Sequence, residues 1–162
     1  MRTTNMGMGL FVATALIGLG GCAATPSSAT SPSATGTTAS AGLTCRHRNA
    51  QIEQSIGYCQ AVRVGDVLYV SGVPADGPME EAVPAVYRQL QTILAANGLT
   101  FAHVAKENVY ATDLDAFIAQ QHVRKPYYGT WVPSATWVQV ERLFMPSFVL
   151  EVELVAHYPV AE

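Results

Sequence analysis

The chain has 162 residues, of which 49% are hydrophobic, enough for one domain with a sizeable core. Its formal net charge of −3, with no basic cluster larger than Arg46-His47-Arg48, excludes the broad cationic surface of a nucleic-acid binder. The four histidines (His47, His103, His122 and His157) are scattered, with no pair at ligand spacing and no cysteine set beside them, so no metal site is expected.

The start of the chain carries one basic residue, Arg2, and then an uncharged run from Thr3 to Gly21. That run is too short and too glycine-rich for a comfortable membrane span, and with small residues at its end it reads as a cleaved export signal over 1–21. Leu19-Gly20-Gly21-Cys22 resembles the bacterial lipoprotein signal, which implies that Cys22 is acylated and becomes the new amino terminus. An ordinary signal with an accidental cysteine, or an uncleaved anchor, is the other reading. Acyl chains would hold the protein on a membrane without a spanning helix, so an exported, membrane-anchored protein of the periplasm is expected. Ala23 to Gly42 contains only small and turn-forming residues, with no charge and no large apolar side chain. Such a segment cannot offset its ordering entropy by burial, so 22–42 reads as a tether and 43–162 as the folded domain.

With Cys22 acylated, Cys45 and Cys59 remain as a pair. Two readings stay open, a disulfide favoured by an oxidising compartment and a small buried hydrophobe at Cys59. Gln60 to Val64, Gly65-Asp66 and Val67 to Gly72 read as a β-hairpin, because glycine and aspartate supply the backbone freedom of a tight turn. From Glu80 to Asn97, Val83, Val86, Tyr87, Leu90, Ile93 and Leu94 recur at helical spacing, with Pro84 near the start and Gly98 as the stop. Val104 to Thr112 reads as a strand, and Asp113 as the cap of a second helix ended by Pro126. Ala135 to Val140 and Phe148 to Ala156 read as the closing strands. Alternation in the last one sets Leu150, Val152, Leu154 and Ala156 on one face and Val149, Glu151, Glu153 and Val155 on the other. Two carboxylates on so apolar a strand are candidates for a pocket or interface; a solvated charged face is the plainer alternative. The order hairpin, helix, strand, helix, strand, strand predicts an α+β fold with both helices on one sheet face, leaving the other face for a further subunit to cover.

Gly57-Tyr58-Cys59-Gln60-Ala61-Val62, Gly65 to Gly72, Ala96-Asn97-Gly98-Leu99, Val109 to Phe117 and Leu150-Glu151-Val152-Glu153 together resemble the RidA (YjgF, L-PSP) family, in order and at family spacing through nearly all of 52–158. The resemblance implies a chorismate-mutase-like fold and a homotrimer with clefts between subunits. It also implies hydrolysis of reactive imines and enamines, such as 2-aminoacrylate, to keto compounds and ammonia, with no metal or organic cofactor.

Residue by residue, Tyr58 falls on the tyrosine of the family's Gly-Pro-Tyr motif, although Ile56-Gly57 here lacks the proline. Gly72 falls on the glycine after the second strand, and Glu151 on the acid credited with handling the catalytic water. The family arginine that follows Pro-Ala is replaced by Ala135 after Pro133-Ser134, so the bidentate clamp for a substrate carboxylate is missing. Trp137 adds bulk two residues on, and Gln139 replaces a common acid, which makes Ala135, Trp137 and Gln139 substrate-binding candidates beside Gly72. Three function classes are open: an exported imine deaminase with altered or lost activity, a non-catalytic small-ligand module, and a structural trimer at the membrane surface.

Overall fold

The computed structural model describes residues 42–159. The predicted signal 1–21, the acylation site Cys22 and all of the tether except Gly42 lie outside them. The elements are β1 (Leu43–Arg46), α1 (Ala50–Ile56), β2 (Ala61–Val64), β3 (Val67–Asp76), α2 (Met79–Ala96), β4 (Val104–Ala111), α3 (Leu114–Ala119), α4 (Gln121–Tyr128), β5 (Ser134–Gln139) and β6 (Phe148–His157). A 3₁₀ turn at Phe101–His103 leads into β4.

The strands form one six-stranded sheet in the order β1-β2-β3-β6-β4-β5. Every pairing is antiparallel except β4 with β5, which run parallel because α3 and α4 form the crossover between them. The predicted hairpin is present as β2 and β3, joined at Gly65, whose φ of +59° is open to glycine at little cost. Leu68, Val70, Val73, Leu150, Val152, Leu154, Val109 and Ala111 are buried on one sheet face. Against it lies α2, with Val83, Val86, Tyr87, Leu90 and Leu94 buried. Among the described residues no helix packs on the opposite face, which carries Tyr69, Asn108, Tyr110, Glu151 and Glu153 and leaves Tyr69 50% exposed.

Three expectations change. First, β1 and α1 precede the hairpin. Asn49 caps α1 by accepting from the Ile52 amide at 3.2 Å, and Gly57, at φ +95°, ends it in the left-handed region. Second, the helix after Asp113 is broken at Gln120 into α3 and α4. Third, Pro126 lies inside α4 and does not end it. Only the bond to the His122 carbonyl is forfeited in so short a helix, and Gly129 closes it by donating to Pro126 O at 3.3 Å. The Asp113 cap is as expected, its carboxylate accepting from the Ala116 amide at 2.9 Å.

Cys45 and Cys59 are joined as a disulfide, with Cα atoms 5.7 Å apart. Of the two readings of that pair, the bonded one holds. It ties β1 to the residue that precedes the hairpin.

Candidate functional site

Val70 pairs with Leu154 and Val73 with Val152, so Ser71 and Gly72 together face the single residue Glu153 across the sheet. This bulge bends β3 at the point where its pairing with β2 has ended. Pro74 and Tyr110 flank Glu151 on the two neighbouring strands. A Cβ on residue 72 would come within 2.7 Å of Glu151 Cγ and Cδ, so the Glu151 side chain lies over the bare Gly72 backbone. Glycine is required there for room; its φ is not in the left-handed region.

Over this bulge lies a cavity of about 590 Å³, lined by Tyr58, Gly72 and Glu151 together with Ile56, Met145 and Phe148. The hydrophobic walls come from α1 and from the loop before β6. A more polar cavity of about 740 Å³ shares Tyr58, Gly72 and Phe148 and carries Arg48 and Arg88. The apolar one is the candidate site, because it alone of the two contains a carboxylate with shifted chemistry. Burial, and then the neighbouring Glu153, push the Glu151 carboxyl above its ordinary value. Glu153 is held differently, accepting from Asn108 Nδ2 at 2.6 Å and from the Tyr110 hydroxyl at 3.2 Å. Burial and Glu153 in turn raise the Tyr110 phenol. A half-buried acid whose carboxyl is raised by burial is a stronger base than an ordinary carboxylate, and can take a proton from water and return it to a leaving nitrogen.

Ala135, Trp137 and Gln139 are not part of this cavity within one chain. Register places them beside Glu107, Val109 and Ala111, on the helix-covered face opposite Glu151, and β6 and β4 separate their strand from β3. Trp137 donates from Nε1 to Glu107 Oε2 at 3.1 Å and meets Phe117 edge-on at 5.5 Å. Gln139 accepts from the Leu114 amide at 3.2 Å, so it helps to start α3. Within one chain the three do not line the Glu151 cavity: Ala135 and Gln139 are exposed on the edge strand, and Trp137 packs against α3.

Sequence reasoning missed Glu107, which is fully buried. It accepts from Tyr87 at 2.6 Å and Tyr128 at 2.7 Å, and from Arg124 Nε and Nη2 at 2.9 and 2.6 Å. Burial drives both phenols far up, and the Glu107 charge adds to that. For Arg124, burial works against the charge, but its bonds to Glu107 outweigh burial and raise it. A carboxylate with this many donors is a paired buried charge, and the cluster fixes α2, α4 and β5 to β4. Glu107 stands between Lys106 and Asn108 in the strand Val104–Ala111, so the sequence does not mark it as a buried acid.

Ligand atoms of Cys45, His47 and Cys59 lie within 4.8 Å of one another, a grouping that linear spacing did not show. The two sulfurs are bonded to each other, so they offer no thiolates to a metal ion.

The sequence pattern of the family described as "Endoribonuclease L-PSP" matches residues 48–158. A RutC family protein of Pyrococcus abyssi is 33% identical over 110 residues, covering 62% of this chain and 85% of the relative. A 2-iminobutanoate/2-iminopropanoate deaminase of Capra hircus is 34% identical over 105 residues, covering 58% of this chain and 76% of the relative. A solved structure from Mycobacterium tuberculosis, described as a member of the YjgF/YER057c/UK114 family, superposes with a TM-score of 0.66 at 26% identity, covering 72% of this chain and 99% of that one. A putative endoribonuclease from Thermotoga maritima gives 0.59 at 30% identity, covering 64% and 87%. The α+β fold of the chain is the one these neighbours share.

Proposed function

Because the chain belongs to the endoribonuclease L-PSP family, we propose that it hydrolyses small imines or enamines to carbonyl compounds and ammonia, with a substrate range moved away from carboxylate-bearing molecules. The observation that carries this reading is the apolar cavity in which Glu151, its carboxyl raised, lies over Gly72 beside Tyr58. Glu151 takes a proton from water as the oxygen attacks the imine carbon. That proton goes to nitrogen to give the carbinolamine, and the proton of its hydroxyl follows by way of Glu151 as the carbon–nitrogen bond breaks, so that the carbonyl compound and ammonia leave. Tyr58, 38% exposed at the cavity, is placed to orient the substrate. Two relatives named as 2-iminobutanoate/2-iminopropanoate deaminases support the reaction class.

Ala135 stands where the resemblance expects a carboxylate-binding arginine, and the cavity walls are hydrocarbon, which together favour neutral substrates. The test compares 2-iminopropionate with an uncharged imine of similar size, following imine loss in competition with semicarbazide. A missing charged hydrogen bond costs about 1.5–3 kcal/mol, roughly one to two orders of magnitude in rate. The uncharged imine is expected to react faster by that margin, and a preference for 2-iminopropionate would overturn the substrate assignment. If neither turns over while an apolar ligand binds, the cavity is a binding site and the non-catalytic reading replaces this one.

The proposal includes a homotrimer, supported by the sheet face on which Tyr69 is 50% and Val138 37% exposed. Such an assembly is also what would bring Ala135, exposed on the edge strand β5, toward Glu151 of a neighbouring subunit. Light scattering is expected to report three protomers, and a stable monomer would contradict it. The net charge of −3 supports a small-molecule partner and no nucleic acid, despite the family's descriptive name. Acylation of Cys22 and a periplasmic, membrane-anchored location complete the proposal, on the strength of Leu19-Gly20-Gly21-Cys22. Mass spectrometry of the mature amino terminus tests both.

A further inference from the structure

Cys45 is exposed and Cys59 half-buried, so the disulfide is not sealed in the core. Beside it stands His47, whose Nε2 lies 3.2 Å from Cys45 Sγ. The other ring nitrogen, Nδ1, is 2.7 Å from Glu53 Oε2, and a carboxylate can only accept, so Nδ1 carries the proton and Nε2 turns its lone pair to the sulfur. Glu53 is itself 2% exposed and immobilised, accepting from the amides of Arg48 at 2.9 Å, Asn49 at 2.6 Å and Gln60 at 3.0 Å. Burial alone would raise its carboxyl; the bonds from Asn49, His47, Gln60 and Arg48 outweigh burial and hold it below the ordinary value.

We propose that Cys45–Cys59 is a thiol–disulfide exchange site, in which the His47–Glu53 pair stabilises Cys45 as the leaving thiolate when a low-molecular-weight thiol attacks Cys59. The thiolate of the incoming molecule forms a bond to Cys59 Sγ, the Cys45–Cys59 bond breaks, and its electron pair leaves on Cys45 Sγ. His47 Nε2 takes up the proton that the incoming thiol gives up and donates it in a hydrogen bond to the leaving sulfur, while Glu53 holds the imidazolium charge. A second thiol then attacks the mixed disulfide, releasing Cys59 as a thiolate and carrying away the oxidised small-molecule disulfide. Two thiols are oxidised and one protein disulfide is reduced, so the exchange balances and runs in either direction with the ambient couple.

The surroundings fit such a step. His47 borders a cavity of about 230 Å³, large enough for part of a small thiol. Glu53 from α1 is the charged group in contact with His47; Arg46 and Arg48 line the same cavity, Arg48 with its guanidinium bonded to Gln89, while α2 contributes the uncharged Thr92, Ile93, Ala96 and Asn97. Arginines favour the thiolate form of both the attacking molecule and the product.

The test uses the full chain, treated with dithiothreitol at pH 7, quenched by alkylation and read by peptide mass spectrometry so that Cys22 is counted apart. His47→Ala is expected to slow reduction at least tenfold. His47→Asn, which keeps a donor for Glu53 but has no titrating ring, should be slowed as much; full rescue by asparagine would assign His47 a packing role and overturn the proposal. In the reduced wild type, iodoacetamide should label Cys45 with a midpoint below the ordinary thiol value of about 8.5, returning to it in His47→Ala. Equal reduction rates in wild type and His47→Ala, or an ordinary profile at Cys45 in the wild type, would refute the assignment. None of these readouts depends on imine hydrolysis.

Discussion

Gly72→Ala separates the geometry of the candidate site from the stability of the fold. The new Cβ would overlap Glu151 Oε1 and lie 2.7 Å from Cγ and Cδ, where ordinary contacts begin near 3.4 Å, so these carbons must retreat by at least 0.7 Å and the oxygen by more. The obstacle is the end of a half-exposed side chain and not backbone, and φ at residue 72 is one that alanine adopts. Stability should therefore change by less than about 1 kcal/mol, the relief of unfolded-chain entropy offsetting part of the displacement. A reacting group displaced by about 1 Å loses roughly a hundredfold in rate. Urea unfolding and semicarbazide competition on the same preparation read the two effects, and NMR titration of the carboxyl should show Glu151 returning toward its ordinary value as it is pushed outward. A variant with unchanged turnover and unchanged titration would refute the claim that Gly72 exists to seat Glu151. Loss of more than about 3 kcal/mol, the range of packing defects, would refute the claim that the obstacle is a mobile side chain.

Glu107→Leu should destabilise the protein by about 3–5 kcal/mol in urea, because Arg124 is left as an uncompensated buried charge; a loss below about 1 kcal/mol would show that the cluster is not holding α4 to β4. Replacing Cys45 and Cys59 together by serine should cost about 3 kcal/mol, the loop-entropy value for a bridge spanning 14 residues, and an unchanged urea midpoint would contradict that. Glu151→Gln has a signed pH dependence. The raised carboxyl prefers its proton in the folded state, so its contribution is full below the ordinary value of 4.5 and is lost as pH rises through the raised one. The variant should be the more stable form at pH 7, the difference closing as pH falls toward 4; a gap that widens on acidification would reverse the assigned shift.

What could be read from the sequence was what local chemistry determines. Gly65-Asp66 marks a turn wherever two β-favouring runs flank it, and the spacing of Val83, Val86, Leu90 and Leu94 fits only a helix with one covered face. Alternation in β6 set Glu151 and Glu153 apart from Leu150, Val152 and Leu154, and the two sets lie on opposite faces; that the acids' face is the less buried one did not follow from it. The segment before the hairpin gave no such signal. All of β1 is exposed, and α1 buries only Glu53, so the ordering of this segment rests on pairing with β2, the disulfide and hydrogen bonds to one carboxylate, none of which hydrophobic spacing registers. The same holds at Trp137. That it shares a face with Ala135 and Gln139 follows from period two, but which face is decided by the register of β4 and the packing of α3 and α4. Tyr58, Gly72 and Glu151 come together through a bulge at Ser71-Gly72 that the sequence marks only as an ordinary glycine at a strand end.

The central claim is that the raised Glu151 carboxyl over Gly72 moves the proton in imine hydrolysis. It is tested most directly by the rate at which an uncharged imine is lost in semicarbazide competition, with wild type and Glu151→Gln compared at pH 7. The isosteric amide keeps the packing and removes the proton acceptor, a change that general acid–base catalysis values at about a hundredfold or more. Catalysis by the wild type is expected to fall by that factor in the variant. Equal rates for the two proteins would contradict it.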